Sequence, residues 1–176
     1  MLKALKLISN DAKNKIILHL TGVNKNSFVN YCHSKTIGIE EIMPIIRFHG
    51  WLTSDQLHRI YSESHFLFFL REVDQANISN FPMKLIELLS FGIPPILSDV
   101  GDYGKMISDG VDGFVVPAGN LDAAVDCLET VTMLTEIEYQ TMQSNAFKLG
   151  SKFDYRKYGS LFGDELGEFL RYRHSS

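Results

Sequence analysis

The sequence predicts an α/β fold, a doubly wound and mostly parallel sheet with helices on both faces. Three observations lead to it. Short runs at 15–22 ("KIILHLTG"), 45–50 ("IIRFHG"), 65–70 ("HFLFFL"), 94–99 ("PPILSD") and 113–117 ("GFVVP") read as apolar throughout, as strands covered on both faces do. Stretches of helical periodicity separate them. The 176 residues, 45% hydrophobic and 22% charged, have ordinary globular composition and suffice for one sizeable core, so a single domain over 1–176 is expected.

In chain order, a helix over 2–10 carries Leu2, Leu5, Leu7 and Ile8 at roughly helical spacing, and the strand at 15–22 comes next. A weaker helix spans 25–35 before the strand at 45–50. "TSDQLHRIYSES" opens with Thr53 and has Gln56 three residues on, a capping box whose helix presents Leu57, Ile60 and Tyr61 on one face. Phe66, Phe68 and Phe69 are expected as core of the strand at 65–70. The helix at 82–91 has Pro82 at a first-turn position and Gly92 and Pro94 beyond its end, the usual asymmetry of helix termini. After the strands at 94–99 and 113–117, Asn120 can cap a helix from 121 to about 134, with further helices at about 136–150 and 156–172. The order starts with a helix, whereas a doubly wound half normally starts with a strand whose loop serves the ligand site. A first strand and a partner domain are therefore expected upstream.

Composition excludes several classes. The net charge is −4 and no basic run exceeds two residues, which leaves no electrostatic footprint for nucleic acid or an anionic membrane. Cys32 and Cys127 have neither metal-type spacing nor a disulfide framework, so a reducing, cytoplasmic setting is expected. The six His fall in no ligand pattern, and no metal or cofactor is expected. The start of the chain is too short and polar for a signal peptide or a membrane span, and no later apolar run reaches spanning length.

Two charges interrupt the helix at 82–91. Met83, Leu85, Ile86, Leu88, Leu89 and Phe91 surround most of it, which predicts a largely buried helix, yet Lys84 and Glu87 share one side. They can pair with each other on a narrow exposed strip. Alternatively they serve a ligand: the helix comes directly after "FFLREVDQANISNF", the loop leaving a central strand, and open α/β sheets bind ligands at the carboxyl ends of strands. A helix amino terminus favours phosphate. Arg71 and Lys84 could reach the same anion, and Glu87, one turn further in, could accept two ribose hydroxyls. That spacing describes a nucleoside diphosphate.

From about residue 15 to residue 152 the chain resembles the carboxyl-terminal, donor-binding half of GT-B glycosyltransferases. The resemblance is to the large retaining family (group 1, family 4-like) that includes bacterial polysaccharide and lipopolysaccharide enzymes. Three segments carry it in order: "FHGWLTSDQLHRIYSESHFLFFL", "KLIELLSFGIPPILSDVGD" and "MISDGVDGFVVPAGNLDAAVDCLETV". Glu87 matches the second glutamate of the family's pair. The first position, eight residues earlier, is Ser79. The surrounding residues are instead similar to a subgroup reading L-R…N-[FY]-P-x-K-x-x-E, matched by Leu70, Arg71, Asn80, Phe81, Pro82, Lys84 and Glu87.

The resemblance implies a Rossmann-like half of a GT-B fold. It implies a nucleoside diphosphate sugar as donor and a saccharide or lipid-linked acceptor held by an amino-terminal domain outside this chain. Full-length enzymes of this kind can associate peripherally with membranes. Arg71 and Lys84 would be the catalytic cations, and Gly22, Asn80, Phe81, Lys84, Leu85 and Glu87 would bind the donor nucleotide. Ser79, Gly101 and Asp102 would lie near the donor sugar, although the loop at Gly101 and Asp102 reads equally well as a polar cap for the next helix. Asp112-Gly113 reads more simply as a turn. Two rival functions stand: a non-catalytic nucleotide-sugar-binding module of the same fold, favoured by Ser79, and a receiver-like regulatory domain, for which the strand ends lack the acidic cluster.

Overall fold

Ser9 divides the amino-terminal helical segment in two. Its side chain accepts the Ala12 N–H and caps a second helix, the usual role of serine at a helix start. The computed structural model of the chain describes residues 2–75, 83–102, 104–154 and 156. In place of one helix over 2–10, α1 (Leu2–Leu7) is followed by α2 (Asn10–Lys15). The first strand accordingly starts later than the apolar run suggested, as β1 (Leu18–Thr21).

The remaining elements keep the expected alternation: α3 (Lys25–Ser34), β2 (Ile46–Gly50), α4 (Ser54–Glu63), β3 (Leu67–Phe69), α5 (Met83–Ser90), β4 (Pro95–Ser98), β5 (Phe114–Val116), α6 (Leu121–Met133) and α7 (Glu136–Gly150). Thr53 and Gln56 form the anticipated capping box on α4, and Asn120 caps α6 through the Ala123 N–H. A second capping box, Thr135 with Glu138, starts α7. The helix expected at 156–172 lies outside the described residues, apart from residue 156.

Among the described residues every strand pair is parallel, but the strands form two sheets, β1-β2 and β3-β4-β5. One buried cluster joins them: Ala4, Leu5, Ala12, Phe28, Cys32, Ile46, Ile96, Val116, Ala124 and Leu128, with Leu18, Leu20, Phe48, Phe66 and Phe68 against it. That cluster brings α1, α2, α3 and α6 onto one face. Leu67 and Phe69 alternate to the other face of β3, where they meet residues of α4, α5 and α7, including Tyr61, Leu85, Leu88, Leu89 and Ala146. Helices thus cover both faces of β3-β4-β5, and all of β4 is buried. The β1-β2 pair behaves differently from the uniform apolar strands expected. Leu18, Leu20, Ile46 and Phe48 point into the shared core, while the alternate positions carry exposed Arg47 and a His19–His49 pair joined by a 3.0 Å ring nitrogen contact.

Candidate functional site

α5 is held by three leucines. Leu85 and Leu89 are fully buried and Leu88 is 6% exposed, a spacing that fixes one helical stripe against the core. The helix is less enclosed than its composition predicted: Met83 is 72% and Phe91 40% exposed, because the leucine stripe alone satisfies the core contact. Gly92 ends it at φ +73°. The Ile93 N–H returns to the Leu88 carbonyl at 3.0 Å and the Gly92 N–H to the Leu89 carbonyl at 2.9 Å, the double bond of a glycine C-cap. At its far end α7 packs so closely that a Cβ on Gly150 would sit 2.6 Å from the Leu89 carbonyl carbon.

Lys84 and Glu87 do meet. Lys84 Nζ donates to Glu87 Oε2 at 2.7 Å, with the two side chains 60% and 33% exposed. That bond is the first cause of a Lys84 pKa above its usual value, with burial opposing it. A third group, which sequence reasoning placed only on a helix face, joins them: the Tyr61 hydroxyl of α4 lies 3.5 Å from Lys84 Nζ. Burial raises the Tyr61 phenol pKa, and the nearby Glu87 carboxylate raises it further. The Tyr61 ring is fixed edge-on to Phe91 at 5.3 Å, and His58 stands 5.1 Å from the same Phe91 ring. A tyrosine four residues after an apolar helix position looks like ordinary core, and only the packing of α4 on α5 discloses the hydroxyl's destination.

The other candidates sit at strand ends. The Arg71 N–H donates to the hydroxyl of Ser98 at 2.8 Å, tying the chain after β3 to the end of β4, and its guanidinium lies 4.2 Å from the Phe69 ring centroid. Ser98 is a buried polar side chain, 2% exposed, another residue the sequence did not single out. Gly22 adopts φ +75° and donates its N–H to the Gly50 carbonyl at 2.6 Å, with open space where a Cβ would stand. Gly101 adopts φ +64°, and the exposed Asp102 pairs with Lys105 at 3.2 Å. The side chain of Leu85 is committed to the core, so only its backbone faces the amino-terminal end of α5. Asp112 accepts the Ser108 N–H at 2.8 Å, in keeping with a structural turn. Ser79, Asn80, Phe81 and Pro82 lie outside the described residues. Among the described residues no cluster of His, Cys, Asp and Glu could hold a metal ion, and no helix is long and apolar enough to cross a membrane.

The geometry thus joins a parallel α/β fold to a charged pair on the helix after β3, and comparison with known proteins gives the family. Residues 1–149 match the family model "Glycosyl transferases group 1". The chain belongs to that family. The GDP-mannose:cellobiosyl-diphosphopolyprenol alpha-mannosyltransferase of Xanthomonas oryzae pv. oryzae is 21% identical over 118 residues, which is 67% of this chain and 30% of that protein. Anabaena Alr3699/HepE, solved in complex with UDP-glucose, superposes with a TM-score of 0.69 at 16% identity over 95% of this chain and 44% of its own. WaaG, a glycosyltransferase involved in lipopolysaccharide biosynthesis, gives 0.65 at 16% identity over 87% of this chain and 38% of its own. The structural likenesses establish the α/β fold of a GT-B half, and the chain spans less than half the length of each of these relatives.

Proposed function

We propose that this chain is the donor-nucleotide half of a glycosyltransferase that moves a sugar from a nucleoside diphosphate sugar to a saccharide or lipid-linked acceptor in surface polysaccharide or lipopolysaccharide synthesis. The observation that carries the reading is the Lys84–Glu87 pair at the amino-terminal end of α5, in a chain of the group 1 family. A lysine in the first turn adds its charge to the positive end of the helix dipole. Arg71, held at the end of β3 by Ser98, would supply the second cation, and the two would stabilise charge developing on the leaving diphosphate without a metal. Glu87 would accept the ribose hydroxyls. The backbone N–H of Leu85 and the open backbone at Gly22 fit close approach of the nucleotide. Asn80 and Phe81 complete the nucleotide contacts in this reading, and Ser79, Gly101 and Asp102 border the donor sugar.

The split sheet supports a segment upstream of this one. Among the described residues β1 and β3 each pair on one side only, with β2 and β4, yet both contribute to the same core cluster. A strand between them would give the order β2-β1-new-β3-β4-β5. The acceptor domain would precede it, and the enzyme would work in the cytoplasm. Ser79 at the first glutamate position keeps one alternative, a nucleotide-sugar-binding module without transfer. Sugar transfer by the full-length protein decides between the two. Calorimetry of the chain with UDP and GDP tests the shared core of both, with binding to one of them expected and no binding to either contradicting it.

A further inference from the structure

We propose that Tyr61 is a positioning residue that holds the Glu87 carboxylate for the ribose of a nucleoside diphosphate when Lys84 turns to the diphosphate. This rests on the nucleotide reading of the site given above. Packing alone does not call for the hydroxyl. Tyr61 is 8% exposed and lies with Leu88, Ile93, Leu57 and Leu67, surroundings that a phenylalanine ring would suit as well. A buried phenol that lacks a partner is costly, and the partner this one finds is Lys84 of the candidate site, 3.5 Å away, itself bonded to Glu87.

The inventory of donors explains the exchange. In the structure Lys84 donates to Glu87 at 2.7 Å and stands 3.5 Å from the Tyr61 oxygen. An ammonium has three donors and no acceptor, whereas an ionised carboxylate has about four acceptor sites. When a diphosphate draws Lys84 away, Glu87, whose side chain is only 33% exposed, loses that cationic partner. The Tyr61 O–H then rotates to donate to it. The phenol ring cannot drift, because Phe91 packs against it at 5.3 Å. One oxygen of Glu87 is thereby fixed, and its remaining lone pairs face the ribose hydroxyls.

The test uses the full chain and Tyr61→Phe, which removes one oxygen and keeps the ring. Calorimetry compares UDP and GDP with their 2′-deoxy counterparts. The wild type is expected to favour the ribonucleotide. Tyr61→Phe should reduce that preference roughly tenfold, the scale of a hydrogen bond to a charged group, while binding of the deoxy counterpart changes little. Glu87→Ala should abolish the preference, and adding Tyr61→Phe to it should have no further effect, since the two residues act as one unit. An unchanged preference in Tyr61→Phe overturns the proposal while leaving the nucleotide site intact. Equal binding of ribo and deoxy forms by the wild type overturns the role of Glu87 and the proposal with it, and no nucleotide binding at all overturns the functional reading as well. Should Tyr61→Phe fold poorly, the ring-carbon NMR shift of Tyr61 in the wild type decides: it should move on saturation with the nucleotide, and the same shift in Glu87→Ala should stay still.

Discussion

Lys84 and Glu87 bear the functional reading at the level of single residues, and their energetics separate binding from stability. The pair is half-exposed, and exposed ion pairs contribute at most about 1 kcal/mol. Lys84→Ala should therefore shift urea unfolding by less than about 1 kcal/mol, while nucleotide affinity falls roughly tenfold or more, as loss of a charge-assisted contact predicts. Ser98 behaves in the opposite way: Ser98→Ala removes the acceptor of the Arg71 N–H from a buried site and should cost about 1–3 kcal/mol in the same measurement. His19 gives a pH dependence. Burial, and then His49, lower its pKa below 6.5 in the folded protein, so the unfolded chain binds the proton more tightly. Stability from this group is thus present above about pH 6.5 and declines as pH falls through the lowered folded value. Urea midpoints at about pH 7.5 and about pH 5 should converge in His19→Gln relative to the wild type. The charged pair was legible in the sequence because it interrupted an apolar helix. Tyr61 and Ser98 were not, since each looks like core until α4 meets α5 and β3 meets β4.

At the scale of elements, most boundaries could be read from local chemistry. Thr53 with Gln56, Asn120, and Gly92 act through hydrogen bonds to their own near neighbours, and such signals survive in sequence alone. The break between α1 and α2 is hidden because Ser9 looks like part of a helix until its cap bond is seen. The alternation in β1 and β2 is hidden for a related reason: short runs rich in Ile and Leu mask His19, Arg47 and His49 at every second position. One element contact bears on the site. The end of α7 touches the backbone of α5 at Leu89, where a Cβ on Gly150 would lie 2.6 Å from the carbonyl carbon. Gly150→Ala has to push the two helices apart and should destabilise the fold by about 1–3 kcal/mol, as overpacking does. Thermal unfolding measures it, and Ser144→Ala on the exposed side of α7 is a control expected to lose less.

For the whole molecule, the alternation of strands and helices on two faces was legible, because continuous apolar runs and helical periodicity are local patterns with a global consequence. The division into β1-β2 and β3-β4-β5 was not, since pairing between distant strands leaves no local mark. If an upstream strand fills that division, the amides of β1 and β3 that face it should exchange rapidly in this chain and become protected in a longer chain that carries the strand; hydrogen exchange reads this directly. The most direct test of the central claim is an amide-resolved NMR titration of the chain with UDP, GDP and CMP, repeated on Lys84→Ala and Glu87→Ala. A donor site at α5 predicts saturable shifts confined around residues 80–88 with one nucleotide, weakened by either substitution. Shifts absent for all three nucleotides in a folded chain would reduce Lys84 and Glu87 to a surface pair and contradict the account.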